Sequence, residues 1–577
     1  MQRHKNRFLW QKIIKYPLVF LLLIAVACSG GSSDAPPYNY TLTLVHMNDT
    51  HSHLEAVPLN FWIDNVKTTA QAGGFPRLKT AIDEMRERHP HLLLLHGGDA
   101  VQGTLYFTLF NGEVEFDFLN LLGIDAMTFG NHEFDRGCGP IPGWITRSEF
   151  PWLSANIDFT GEPAIAPLVS PYLIKVIQGE RVAIIGLTTE TTPETTLDVG
   201  NAVFHDAVES ARTQVQALTA MGINKIILLS HLGYDKDLAL AAALSGVDIV
   251  VGGHSHSLLG EEESLADIGL ASAGPYPTEL RAPDGNRVLV LQAWRWGHVL
   301  GEMRVRFTPA GEIVSYTSRI TVPVGDAFIQ NGEAVPFDTQ AYLDILAALA
   351  ASGSARIYPE NPQVAALLAP YAAEVAAFRS VKVATAVDPI VQGVNSGPGP
   401  LACDSMIPAV PNARAALINY GGVRRDLEQG DIMVGDVLEV MPFGNTLVLV
   451  DLTGAELKTA LEQGIDFLIT HYGSDPVYMP YVASLRFTVD MQAASGSRVS
   501  NLAIEDDGSY LPVSDAAVYR IVTNAFVAGG GDGFTAIKNA AGFRSDTGVI
   551  DSDAFRTHLA TLANVVNPTE ERITVVE

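Results

Sequence analysis

Gly130-Asn131-His132-Glu133-Phe134-Asp135 sets an amide, an imidazole and a carboxylate on three consecutive residues, directly after a run from Asp125 to Phe129 that reads as a short strand. Gly, Asn and Asp are ordinary turn residues, so a surface turn is the bland reading of the hexapeptide alone. Four other strand-like runs weigh against it. Thr41 to Met47 leads into Asn48-Asp49-Thr50-His51, Leu92 to Leu95 into His96-Gly97-Gly98-Asp99, Lys225 to Leu229 into Ser230-His231, and Val247 to Val251 into Gly252-Gly253-His254-Ser255-His256. Each run delivers Asp or His just past its last apolar residue. In an open sheet of mostly parallel strands the carboxyl ends lie along one edge and form a ligand-binding crevice, so these ends are expected to converge. Oxygen and imidazole donors with no cysteine among them suit a hydrolytic pair of Zn²⁺, Mn²⁺ or Fe²⁺ better than a structural zinc site.

The order Asp-x-His, Gly-Gly-Asp, Gly-Asn-His-Glu-x-x-Asp, His and Gly-Gly-His-x-His resembles the calcineurin-like metallophosphoesterases, and among them the secreted 5'-nucleotidase and UDP-sugar hydrolase family. The resemblance implies an α/β fold: an N-terminal calcineurin-like metallophosphoesterase sandwich with a second, α+β substrate-binding domain. It implies two divalent metal ions, one held by Asp49, His51, Asp99 and His256, the other by Asp99, Asn131, His231 and His254. A shared Asp99 fits that arrangement, because a bridging carboxylate keeps two cations about 3.5–4 Å apart, close enough to hold a hydroxide and clamp a phosphoryl oxygen. The resemblance makes His132 the acid that serves the leaving oxygen and Asp135 the residue that orients its ring, and three residues of separation in a tight turn let the two touch.

Residues 1–27 read as a secretory signal rather than part of the fold. Arg3, Lys5, Arg7, Lys12 and Lys15 precede a short apolar stretch, Leu18 to Val26. That stretch falls short of the ~20 apolar residues a bilayer-spanning helix needs. Ala25-Val26-Ala27-Cys28 resembles a bacterial lipobox, which implies lipidation of Cys28, and residues 28–39 then form a flexible tether. Ser29 after the cysteine resembles lipoproteins sorted to the outer membrane. The expected location is the cell envelope, with the chain anchored by lipid and facing the periplasm or cell surface.

Removing the leader's five basic residues from a total of 37 leaves 32 Lys plus Arg against 64 Asp plus Glu, a net charge of −32. A nucleic acid polymer would be repelled by that field, and no basic stripe is evident. Small anions can still bind where metals and a few arginines reverse the local potential. Cys138 and Cys403 fall in different domains and are expected to stay thiols.

A mature chain of about 550 residues is too long for one core. The expected divisions are a metallophosphoesterase domain over 40–335, an Ala-rich helical connector over 336–378 and a C-terminal 5'-nucleotidase domain over 379–577. Phe75, Leu78, Ile82 and Met85 recur at helical spacing after Gly73-Gly74. Breaks in the connector fall at Ser352-Gly353-Ser354 and Pro359-Glu360-Asn361-Pro362, the latter capping the helix that follows. His53 reads as turn packing more than as a wall of the site, His96 as a packed residue and His298 as a buried, hydrogen-bonded one. Gln102-Gly103-Thr104 reads as the turn that shapes the Asp99 loop.

In the second domain, Asn419-Tyr420-Gly421-Gly422-Val423-Arg424 resembles the family's substrate loop, in which an arginine meets phosphate or ribose oxygens. Arg424 suits this by its fork of donors. Pro442-Phe443-Gly444-Asn445 and the stretch Asn524 to Phe534 resemble the loops whose rings, here Phe443 and Phe526, sandwich a nucleobase, and their Gly-rich neighbours argue for exposed loops. Asp532 reads as a ribose or loop-ordering residue. One departure stands out: where family members usually carry one or two arginines, this chain has Gln392 and Val394, or lacks the positions through a shorter loop. The expected function is release of phosphate from extracytoplasmic nucleotides. The alternatives are a 2',3'-cyclic nucleotide phosphodiesterase, a nucleoside-diphosphate-sugar or dinucleotide pyrophosphatase, or a non-catalytic envelope lipoprotein that only binds nucleotides. The sequence does not fix the oligomeric state.

Overall fold

The computed structural model describes residues 40–196, 199–472 and 478–576. The leader, the tether and Cys28 lie outside them. The strand Tyr40–Met47 sits inside the first sheet, antiparallel to Leu300–Phe307 and parallel to Leu93–His96. Ala126–Thr128 and then Trp152–Leu153 continue the parallel run. In the second sheet, Glu180–Thr188, Ile226–His231, Ile249–Val251 and Arg287–Leu291 are parallel neighbours, with antiparallel strands at both edges.

The sheets face each other across one buried layer, in which Leu42, Leu44 and Leu95 of the first pack with Ile227, Leu229 and Val251 of the second. Val45 and Met47, on the opposite face of the same strand, enter a separate cluster under the helices Phe75–Arg88 and Glu113–Leu122. Alternate residues of one strand thus serve two apolar layers, and burial on both faces explains the unbroken apolar runs. The helices Ala207–Ala220 and Tyr234–Ala243 cover the outside of the second sheet.

Two expectations need correction here. The strand ends do not lie along one sheet: three belong to the first sheet and two, those of Ile226–His231 and Ile249–Val251, to the second. Parallel order along the chain says nothing about which strands share hydrogen bonds, so one edge and two facing edges read alike. His298, expected to be hydrogen-bonded, is buried with no partner at either ring nitrogen among the described residues. It packs instead against the rings of Trp294 and Trp296.

The helix Phe75–Arg88 buries Phe75, Leu78, Ile82 and Met85 as their spacing predicts. Helices Gln340–Ser352 and Pro362–Arg379 follow, the first ended by Gly353 at φ 67°, the second capped by Asn361, whose side chain accepts from Gln363 N and Val364 N. Between them Ala355–Ile357 adds a strand to the first sheet, alongside Val322–Val324. The C-terminal region is built on a mixed sheet in the order Tyr481–Ala483, Ala415–Ile418, Val518–Asn524, Thr446–Thr453 and Arg544–Ile550. Two smaller sheets flank it. No disulfide joins Cys138, whose thiol donates to Val199 O, to the buried Cys403. Among the described residues no helix is long and apolar enough to cross a membrane.

Candidate active site

The loops after the parallel strands bring two groups together: Asp49, His51 and His256, and Asp99, His231 and His254. Within each group one donor atom per residue lies within 4.8 Å of the others. One carboxylate oxygen faces both groups, since Asp99 Oδ2 is 3.0 Å from His231 Nε2 and 3.7 Å from His51 Nε2. Asn131 joins the second group, its Oδ1 2.9 Å from His254 Nδ1.

These positions carry a backbone cost. Asp49, His51, Asp99, His254 and His256 all have φ between 47° and 72°, in the left-handed region. For residues other than glycine this costs on the order of 1 kcal/mol or more each, and such strain concentrates at functional sites. The surroundings hold the loops there. Asn48 donates from Nδ2 to Trp294 O at 2.7 Å and accepts from Ala293 N at 2.8 Å, and His254 N lies 3.0 Å from both oxygens of Asp49. Gln292 accepts from Ser257 N and donates to Gly253 O.

The donor set fits divalent ions. His51 Nε2 and His256 Nε2 face each other at 3.0 Å, a contact of two ring nitrogens of which at least one must present a lone pair. His231 donates from Nδ1 to Gly97 O at 2.7 Å, which turns Nε2 inward, where it meets Asp99 without the alignment of a hydrogen bond. Fixing one ring nitrogen so that the other presents its lone pair is how proteins orient imidazole ligands. Burial lowers the pKa of His254 to about 3 and keeps His51 well below the usual range, so both stay neutral; at His231 burial works the same way but Asp99 outweighs it and raises the pKa to about 9, so that ring must give up its Nε2 proton to take a cation. At Asp49 and Asp99 burial works toward protonation, but the neighbouring imidazoles outweigh it and hold both carboxylates ionised.

His132 and Asp135 flank a single 3₁₀ turn, with His132 Nδ1 2.7 Å from Asp135 Oδ2. Burial opposes charge on this imidazole, yet Asp135 and then Asp99 more than offset it, and the pKa stands well above the ordinary histidine value.

A cavity of about 860 Å³ connects the two domains. His51, Asp99, Asn131, His132, His254 and His256 line one side, Phe443 and Phe526 the other, both rings about half exposed. His53 also reaches the wall, its ring stacked on Trp296 at 4.5 Å. His96 is buried behind the loops against the Thr50 hydroxyl. Gln102-Gly103-Thr104 shapes the loop as expected, Thr104 donating to Ser52 O and capping the helix Leu105–Phe110.

Arg424, Asn419 and Asp532 stand outside the cavity wall. Arg424 is set beside Phe443, its guanidinium carbon 5.7 Å from the ring centroid. Asn419 is buried, donates to Asp532 Oδ2 at 2.7 Å and accepts from Asn524.

Sequence reasoning missed three residues. Glu133, fully buried, accepts from the backbone N–H groups of Asp99, Ala100 and Gly130 and so ties two donor loops together. Its signal was present: a carboxylate inside a turn flanked by Phe129 and Phe134 has nowhere to be but among backbone donors. Arg295 and Asp546 also line the cavity, and nothing local marks them.

The calcineurin-like phosphoesterase family model matches residues 42–258, and the 5'-nucleotidase C-terminal domain model matches residues 382–539. The chain is 32% identical over 571 residues to a "Probable 5'-nucleotidase" of Treponema pallidum, covering 94% of this chain and 96% of that one. Among solved structures, the 5'-nucleotidase precursor of Thermus thermophilus is 38% identical with a TM-score of 0.60, covering 93% of this chain and 100% of that one. The NAD nucleotidase of Haemophilus influenzae has a TM-score of 0.78 at 27% identity over the same shares. Motifs, two-domain fold and relatives matched along nearly their whole length agree: this chain belongs to the 5'-nucleotidase family of metallophosphoesterases, enzymes that use two divalent metal ions.

Proposed function

We propose that the protein hydrolyses the phosphoester bond of nucleoside 5'-monophosphates outside the cytoplasm. The observation that carries this reading is one cavity walled both by the two Asp and His groups and by a pair of half-exposed phenylalanines from the other domain. Asp49, His51, Asp99 and His256 would hold one ion and Asp99, Asn131, His231 and His254 the other. When bound, the ions supply an activated water and Lewis-acid stabilisation of the phosphoryl oxygens.

The chain's own residues do the rest. Phe443 and Phe526 stack on the base, which suits any base because each has a flat face. Arg424, beside Phe443, donates to phosphate or ribose oxygens. Asn419 and Asp532, engaged with each other, order the loop that carries it. His132 holds a proton for the departing ribose oxygen. Its Nδ1 donates to Asp135, so Nε2 is the atom from which the proton leaves.

The location rests on the sequence of residues 1–39: a signal over 1–27, a lipid on Cys28 and a tether over 28–39, leaving the enzyme anchored in the envelope and facing the periplasm or cell surface. The domain limits 40–335, 336–378 and 379–577 belong to the same reading.

A second reading, cleavage of nucleotide diesters or pyrophosphates, draws on Gln392 and Val394. The Gln392 side chain accepts from the Tyr481 hydroxyl and Val394 packs against an apolar cluster, so neither offers charge to a terminal phosphate. The NAD nucleotidase relative has the same architecture.

A substrate panel separates the two. With Mn²⁺ or Zn²⁺, a 5'-monophosphate should be hydrolysed faster than a 2',3'-cyclic nucleotide, a dinucleotide or a nucleoside-diphosphate sugar. Phe443→Ala and Phe526→Ala should each raise KM roughly tenfold, from the ~1–3 kcal/mol of a lost stacking partner. Preference for a diester or pyrophosphate would transfer the assignment to the second reading.

A further inference from the structure

Arg295 lines the cavity beside the Asp49, His51 and His256 group. It lies between two tryptophans whose backbones take the left-handed conformation, Trp294 at φ 56° and Trp296 at φ 58°. Bulky side chains rarely adopt this region, so the loop is held there by its neighbours. Asn48 Nδ2 donates to Trp294 O at 2.7 Å, Trp296 N donates to Asp49 O at 2.7 Å, and Trp294 N reaches Ser257 O at 3.2 Å. These bonds fix the backbone on both sides of Arg295 against Asp49 and against the residue that follows His256.

The side chain is fixed as well. Its guanidinium carbon sits 4.0 Å from the centroid of the Trp296 ring, a cation–π contact that sets the plane of the fork. Its Nε is buried without a hydrogen-bond partner, and among the described residues no carboxylate forms an ion pair with it. A buried, unpaired guanidinium donor and a strained backbone both cost stability, and such costs concentrate at functional sites.

The charges around the cavity narrow that ligand. Glu55, Glu439, Asp546 and Asp553 also line it, so the wall is mostly acidic. The other lining arginine, Arg379, is exposed. Besides the His132 imidazolium, Arg295 is therefore the half-buried cation of the wall, and it stands on the side where the metal groups lie.

We propose that Arg295 is a specificity-determining residue that binds the phosphoryl group, donating from the edge of its guanidinium to the non-bridging oxygens of a terminal phosphate dianion. This rests on the hydrolytic reading of the same site and adds to it. The charge that discriminates a monoester comes from the metal-bearing domain, between two tryptophans, and not from the C-terminal loop at Gln392. A diester offers one negative charge fewer and loses part of this contact.

The test uses the full chain loaded with Mn²⁺, as wild type, Arg295→Ala and Arg295→Lys. Inorganic phosphate is titrated calorimetrically, adenosine is titrated in parallel, and metal content and melting temperature are measured. Arg295→Ala should weaken phosphate binding about tenfold and raise KM for a nucleoside monophosphate by a similar factor, while adenosine affinity and metal content stay unchanged; Arg295→Lys should recover part of the loss. Phosphate binding needs no turnover, so it reads Arg295 even if the natural substrate proves to be a diester. Unchanged phosphate affinity in Arg295→Ala, with a lowered melting temperature, would reduce Arg295 to a packing partner of Trp296 and overturn the proposal. Should the alanine variant fail to fold, Arg295→Gln keeps the stem on Trp296 and is judged by the same two titrations.

Discussion

At the scale of single residues, the charge of His132 sets it apart from His51 and His254. Burial keeps His51 and His254 neutral despite the nearby carboxylates, whereas at His132 burial is outweighed by Asp135 and Asp99, which keep the ring protonated, as Asp99 does at His231. His132→Ala should therefore lower kcat by roughly 10²–10⁴, the range of a lost general acid, with both ions retained. Loss of metal in step with activity would make His132 a ligand instead. Asp135→Asn tests the same pair through pH. Burial works against the imidazolium, while Asp135, Asp99 and Asp546 of the opposite domain raise its pKa. A general acid acts only while protonated, so activity is present below that pKa and lost above it. Asp135 touches the ring and raises its pKa most, so its replacement should move the alkaline limb of kcat to lower pH. A limb that stays in place would remove His132 from the titration. Much of this scale was legible: the spacing of His132 and Asp135 implied contact, and 2.7 Å is what the turn produces. Arg295 was not, because an arginine between two tryptophans has no local pattern that separates a cavity wall from a packed surface.

At the scale of elements, the donor loops depend on glycines and on Glu133 as much as on the donors. A Cβ on Gly130 would stand 2.0 Å from Asp99 Oδ1 and 2.5 Å from Asp99 N. Gly130→Ala should displace the carboxylate that faces both groups, so that bound metal falls below two ions per chain while far-UV circular dichroism stays native. Full metal content would show that the loop can yield. Glu133 reaches the same two loops from below by accepting three backbone N–H groups, which explains why a turn so rich in polar side chains can be buried. The strands themselves were readable from apolar runs and the helix Phe75–Arg88 from its period. Their assignment to two facing sheets was not, since sheet membership is decided by pairing between residues far apart in sequence. The strand Ala355–Ile357 escaped for a related reason: three residues between two helix breaks carry no period, and their pairing with Val322–Val324 is tertiary.

At the scale of the whole molecule, the C-terminal region completes the site by contact as well as by stacking. Gly548, at φ 65° on the strand Arg544–Ile550, lies so close to the His132 and Asp135 pair that a Cβ there would be 2.9 Å from Asp135 Cγ. Two residues away, Asp546 accepts from Thr446 Oγ1 and lines the cavity. Gly548→Ala should push this strand off the pair, raising KM and lowering kcat together while metal content is preserved; unaltered kinetics would mean that the domains can shift to absorb the methyl group. The exposure of Phe443 and Phe526 was legible from their glycine-rich flanks, and Phe443 lies in a turn as expected, but Phe526 sits on a short helix, Ala525–Ala528, capped by Asn524, rather than in a loop. The seam at Gly548 was not legible, because a sequence does not say which distant turn will rest on Asp135. The central claim is that two metal ions in one cavity release phosphate from a nucleotide, and it is tested by metal content and phosphate release measured on one preparation. The full chain, stripped by chelation and titrated with Mn²⁺ in the presence of a 5'-nucleoside monophosphate, should regain phosphate release as occupancy rises to two ions per chain. Release that persists after chelation, or that saturates with a single ion, would contradict it.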